Sequence, residues 1–320
     1  MKIRINQTWI TGLAILEAFL AVVVTVAGIA TAFGHVHLTF VSLWGQTVTI
    51  QNGGLYSHES VSMAAQGVGM DLVTLLVVTP LLLLGGFAGA RGSLRGQLLR
   101  VGAFFYFTYA YLVILFGVVY NPLFLVYVVM LSAGIAGLVL SLLSVDAARL
   151  PELISPTFRR RTIGWTVVGV NIMFLLLWLS RIVPSIGTSK PPVGLETYTT
   201  LSVQAADLSI VIPLSILTGV LLLRHHPVGY LLAAPVLFFL ATMGLALAGM
   251  VAAMALMGTQ VGVADTLPAA VTATVGMAMA LHFLAQVQSP EGFPMVGTEG
   301  ASALAAYSSE RRRTTRGSAP

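Results

Sequence analysis

Eight long apolar runs, separated by short polar or charged turns, occupy most of this chain. They centre on residues 10–33, 72–89, 101–120, 123–145, 163–183, 208–223, 229–257 and 267–287. Each is long enough to cross roughly 30 Å of hydrocarbon at about 1.5 Å per residue. The pattern therefore predicts an all-α, polytopic transmembrane helix bundle of about eight spans, covering residues 1–288. The apolar pattern lapses at length in only one place, residues 34–66. There Thr47-Val48-Thr49-Ile50 alternates in the manner of a strand and Asn52-Gly53-Gly54 signals a turn, so a short hairpin is expected. After about Ser289 the sequence turns to Gly, Ser, Pro and charge, the composition of a disordered basic tail at 289–320.

Charge orients this pattern. With the N-terminus inside, fourteen of the sixteen basic residues fall on the cytoplasmic side, and only Arg181 and Lys190 do not. Basic residues in short loops fix orientation, so both termini are expected in the cytoplasm, in the cell membrane, with outer loops at 34–66, 121–122, 184–204 and 258–266. The 57% hydrophobic and 8% charged content belongs to a membrane-embedded chain. The net charge of +5 is then a topology signal and not a nucleic-acid footprint; the expected partners are the bilayer, anionic lipid at the basic tail, and a second copy or another protein. The run at 10–33 is about twice the length of a signal-peptide core and contains Glu17, so an uncleaved first helix is expected.

Absent residues narrow the chemistry. The chain has no cysteine, which removes thiol redox chemistry and thiolate ligands. Lys2 and Lys190 both lie outside the spans, so no mid-membrane Schiff base can form, and His282 alone among the histidines lies within a span, which excludes a bis-histidine haem. No phosphate-binding loop and no separate catalytic domain are present in the sequence. No cofactor is implied, and an enzyme is not expected.

The halves share features. Gln66 precedes Asp71-Leu72 with Pro80 further on, and Gln204 precedes Asp207-Leu208 with Pro213 further on; both helices end in basic turns, Arg91/Arg95 and Arg224. A 4+4 parallel repeat would produce this, and so would chance matches in apolar sequence. Gly54-Leu55-Tyr56, Gln66 with Asp71, Arg91-Gly92-Ser93-Leu94-Arg95 and the stretch from Tyr120 to Tyr127 together resemble a group of bacterial multi-pass membrane proteins. That resemblance implies a fold and no activity.

Ionisable groups inside a bilayer are costly, so each is a candidate. Glu17 and His282 fall at similar depth and would form a proton-handling pair if they met; otherwise Glu17 snorkels or is held neutral by a neighbouring hydroxyl, and His282 reaches the interface. Asp71 and Asp207 fall near the outer ends of descending helices, where they would cap backbone N–H groups or join Arg181 in an outer polar cluster. Tyr109, Phe116 and Tyr120 share a helix face with Tyr106, suited to packing or to a ligand groove. His35, His37 and His58 with Glu59 are weak metal candidates, and His225-His226 read as headgroup anchors. Pro80, Pro213 and Pro235 predict kinks. Two readings lead: a non-enzymatic protein binding a lipid or small apolar ligand or assisting a partner, and a secondary transporter coupled to protons through Glu17/His282.

Overall fold

The computed structural model describes residues 6–288, so the predicted basic tail lies outside the described residues. Eight helices are long and apolar enough to cross a membrane: span 1 Gln7–Ala30, span 2 Val61–Ala90, span 3 Leu94–Gly117, span 4 Phe124–Leu143, span 5 Arg160–Ser185, span 6 Ser202–Leu223, span 7 Pro227–Leu256 and span 8 Val263–Gln286. The chain is thus an all-α, multi-pass membrane protein. One end of the bundle carries an antiparallel hairpin of β1 (Val36–Val41) and β2 (Thr47–Asn52). The opposite end carries the arginine turns at 91–95, 149–161 and 224. The hairpin reverses at residues 42–46, where Ser42 and Gln46 bond across and Gly45 takes φ +73. The expected turn at Asn52-Gly53-Gly54 instead leads the chain out of β2 towards span 2, through left-handed Gly53 and Gly54.

Spans 2 and 6 are built alike. Each contains a five-residue π turn, Thr74–Val78 and Asp207–Val211, followed at once by a helix with proline in its first turn. A proline ring collides with the carbonyl four residues earlier. For Pro80 and Pro213 those residues are Leu76 and Ser209, each in the middle of a π turn, where the widened coil makes room. The same offset of 133 residues continues from Arg91 to Arg224. Both helices then close on a left-handed residue, Gly92 (φ +88) and His225 (φ +60), before the N-caps Ser93 and His226. Gly96 lies against the backbone of Ala88 and Gly89, and Gly229 against Leu221 and Leu222, again 133 residues on. In this register Asp207 corresponds to Thr74 and Gln204 to Asp71, so the two Asp-Leu pairs of the sequence are not equivalent positions.

Packing between spans follows the same rule. Span 1 packs on 2, 2 on 3 and 3 on 4; span 5 packs on 6, 6 on 7 and 7 on 8. The halves meet through spans 3 and 7, flanked by 2 against 7 and 3 against 6. Adding four to each number maps this scheme onto itself, as a parallel 4+4 repeat requires. Glycines allow the close approaches: a side chain at Gly69 would strike the backbone of Gly249 and Met250, and one at Gly244 the backbone of span 8. One contact breaks the rule. Span 1 packs along span 4, whereas spans 5 and 8 make no comparable contact.

A candidate ligand chamber with three acid–tyrosine pairs

Where the pairing is broken, the bundle is hollow. A chamber of about 190 Å³ lies between spans 2, 3, 5, 6, 7 and 8, walled largely by apolar and aromatic side chains such as Met70, Val113, Phe174, Phe239 and Met243. Three carboxyl groups, Glu59, Asp71 and Asp207, enter this wall, and among the described residues no Lys, Arg or His does.

Each carboxyl is held by a tyrosine. Tyr56 donates to Asp71 Oδ2 at 2.6 Å. Tyr109 donates to Asp207 Oδ1 at 2.7 Å, while Trp178 Nε1 donates to Oδ2 at 2.8 Å. Glu59 accepts from the Tyr198 hydroxyl and from the Val119 backbone N–H. These hydrogen bonds fix each acid's position in the wall. Glu59 and Tyr198 lie outside the spans. Burial pushes the Glu59 carboxyl above its ordinary value, opposed by its two hydrogen bonds, with the Glu196 charge adding to the rise. Tyr198 is raised by burial and then by the Glu59 charge, so its proton stays on the phenol.

The wall also holds two buried neutral polar groups. Asn171 donates to Val167 within its own helix, and Thr272 Oγ1 is buried without a partner among the described residues. Towards the hairpin end a second hollow of about 260 Å³ shares Met63, Gln66, Phe174, Trp178 and Met250 with the chamber, and is lined by Arg181, Glu196 and Asp265. It lies in the gap between spans 5 and 8.

The structure rearranges the expected sites. Arg181 pairs with Asp265 at 3.9 Å and stacks over the Trp178 ring, and neither Asp71 nor Asp207 takes it as an ion-pair partner. Asp71 and Asp207 do not cap helices either. Span 2 starts at Val61, capped by Ser60, so Asp71 lies in its third turn; Asp207 opens a π turn inside span 6. What brings these two acids to one chamber is the tyrosines.

Glu17 and His282 do not meet, because span 1 packs on spans 2 and 4 while span 8 packs on span 7. His282 stacks on Phe158 at the arginine end, with Nε2 buried and without a partner among the described residues. Nor does Glu17 snorkel or meet a hydroxyl: it is fully buried midway along span 1, with neither oxygen bonded among the described residues.

The aromatic face of span 3 divides. Tyr109 turns to the chamber and Tyr106 bonds Thr74 at 2.8 Å, but Phe116 and Tyr120 are exposed. Among the described residues no group of three potential ligands is placed to hold a metal ion. His35 instead bonds the Thr31 carbonyl, and Glu59 is taken by Tyr198.

Sequence reading missed Trp178, Asn171 and Thr272 as wall residues, and Tyr198 as the partner of Glu59. Tyr56 stood in the resemblance with Gln66 and Asp71, and Glu59 beside the weak metal candidates. No protein-family model, curated protein or solved structure matches this chain.

Proposed function

We propose that this protein is a cell-membrane receptor or carrier site for a small amphipathic molecule, held in the chamber between its halves. The supporting observation is that three carboxyl groups, each bonded by a tyrosine, line one apolar hollow. Ligand pockets combine apolar walls with a few fixed polar groups, and this wall has that composition. An apolar cavity of about 150 Å³ admits benzene, so about 190 Å³ suits a ring-sized body. The orientation proposed with it places the arginine end and both termini in the cytoplasm, supported by the fourteen-to-two division of basic residues. In this cysteine-free chain, single cysteines at Ser57 and Ser309 then label from opposite sides; labelling from one side overturns the orientation.

The binding test uses Trp178. Trp9, Trp44 and Trp165 are exposed, so replacing them with Phe leaves a reporter in the chamber wall. Titrated 4-bromophenol is expected to quench Trp178 saturably, and Val211→Phe, which fills the chamber, is expected to abolish saturation. Linear quenching in both proteins would mean partition into detergent and would overturn the proposal.

A second reading, secondary transport, is supported by the matched π turns and prolines of spans 2 and 6, which are deformable points at equivalent places in the two halves. Its coupling groups would be Asp71 and Asp207, since Glu17 and His282 are apart. Flux of the bound ligand in proteoliposomes, driven by a pH gradient, tests it.

A further inference from the structure

The chamber's charge identifies the chemistry it takes. The wall brings together three carboxyl groups from three elements, the 53–60 loop, span 2 and span 6, without a basic side chain among them. The nearest candidate for neutralising them, Arg181, is turned away to Asp265 at the 260 Å³ vestibule. Tyrosine and indole donors hold the carboxyls in place but bring no positive charge. Buried charge of one sign is costly unless paired, so such a wall favours an occupant of the opposite sign.

Two further features point to a ligand. Thr272 lines the chamber, and its buried Oγ1 has no partner among the described residues. Aromatic rings make up much of the remaining wall, with Tyr109 and Phe239 packed edge to face at 4.8 Å and Trp178 and Phe174 in span 5. Aromatic faces attract organic ammonium ions, most strongly when water is excluded. Methionines at 63, 70 and 243 add a polarizable lining that adapts to irregular apolar shapes.

We infer that the chamber is a binding site for an organic cation, a quaternary or protonated amine carrying an apolar body about the size of one aromatic ring. The ammonium group lies among Asp71, Asp207 and Glu59, and the apolar body against Phe174, Phe239 and the methionines. This inference rests on the chamber being a ligand site, and its test separates the two claims.

The probes are benzyltrimethylammonium and its uncharged carbon isostere, neopentylbenzene, which differ in charge and hardly in shape. Binding is read on the purified full-length single-Trp178 protein by Trp178 fluorescence and by isothermal titration. The cation is expected to bind at least tenfold more tightly than the isostere. Asp207→Asn and Asp71→Asn are each expected to weaken the cation by at least fivefold and to leave the isostere within twofold. Equal binding of the two probes, or tighter binding of the isostere, overturns the cation assignment and leaves the chamber a ligand site. Binding of neither probe, together with no saturable bromophenol quenching, overturns the chamber itself. Because the charge comparison is made on one unaltered wall, it stands even where an aspartate variant fails to fold.

Discussion

Glu17 offers the sharpest energetic test of the bundle. It is fully buried halfway along span 1, one turn from Ala14 and one from Ala21, in an apolar cluster that includes Leu82 and Met130. Neither carboxyl oxygen has a partner among the described residues. Each polar group buried without a partner costs about 1–3 kcal/mol by mutational measure. Methionine has nearly the same length and flexibility and removes that cost while keeping the space filled. Glu17→Met is therefore expected to raise the unfolding free energy by about 1–3 kcal/mol, since the unfolded chain in detergent returns the carboxyl to water. Glu17→Gln keeps a polar amide in the same place and is expected to stay within about 0.5 kcal/mol of the parent. Reversible unfolding in mixed micelles titrated with dodecyl sulfate measures both. Because Glu17 is not in the chamber wall, ligand affinity at Trp178 is expected to stay within twofold. Destabilisation of Glu17→Met by more than 1 kcal/mol would refute this reasoning, because it would mean that the carboxyl serves an attractive partner in the folded protein.

Three further outcomes follow from particular contacts. Gly69→Ala drives a methyl group into the Gly249–Met250 backbone and is expected to cost about 1–3 kcal/mol in the same titration, whereas Gly12→Ala, with open space around it, is expected to cost nothing measurable. Arg181→Ala removes a partly exposed pair at 3.9 Å, worth at most about 1 kcal/mol, so stability is expected to hold while bromophenol reaches Trp178 faster in stopped-flow quenching. Glu59 keeps its proton more firmly when folded than at its ordinary 4.5, so its contribution to stability is fully present below that pH and is lost as pH rises through the folded value. The melting-temperature difference between the parent and Glu59→Gln is accordingly expected to favour the parent most in acid and to shrink as pH rises above 4.5; a constant difference would contradict it.

The span count and the helix class were legible because the apolar period and length that build each helix act within one segment. The chamber was not, and the reason is physical. Asp71 and Tyr56 lie fifteen residues apart, Tyr109 and Asp207 ninety-eight, and nothing local distinguishes a tyrosine that will meet an aspartate from one in an interfacial belt. Depth along a helix can be counted from sequence, but its rotation about the axis cannot. Glu17 and His282 illustrate that limit, since their spans pack on different neighbours. The repeat was half legible. Pro80 and Pro213 were correctly matched, but the Asp-Leu pairs suggested a register three residues off, because polar residues in apolar sequence draw the eye more than the π turns that set the alignment.

The two halves explain why the hollow lies where it does. If the repeat were complete, span 5 would pack along span 8 as span 1 packs along span 4. The first half closes with small and apolar residues at that seam, and Glu17 is buried there. In the second half the equivalent seam stays parted, touching through the long Arg181–Asp265 pair near the hairpin end. At the arginine end Thr157, just before span 5, accepts the task of closure by donating to Gln286 at 2.6 Å, while Ile154 bridges to Val287. A repeat that packs fully on one side and is pinned near its ends on the other leaves a cleft, and Asn171 and Thr272 lie in the chamber wall. The acids reach the same space from spans 2 and 6, at the π turn of span 6 and one turn before that of span 2. The proposed ligand site thus lies between the open seam and the two helices that carry π turns. A molecule bound there touches both of the helices whose regular bonding is interrupted.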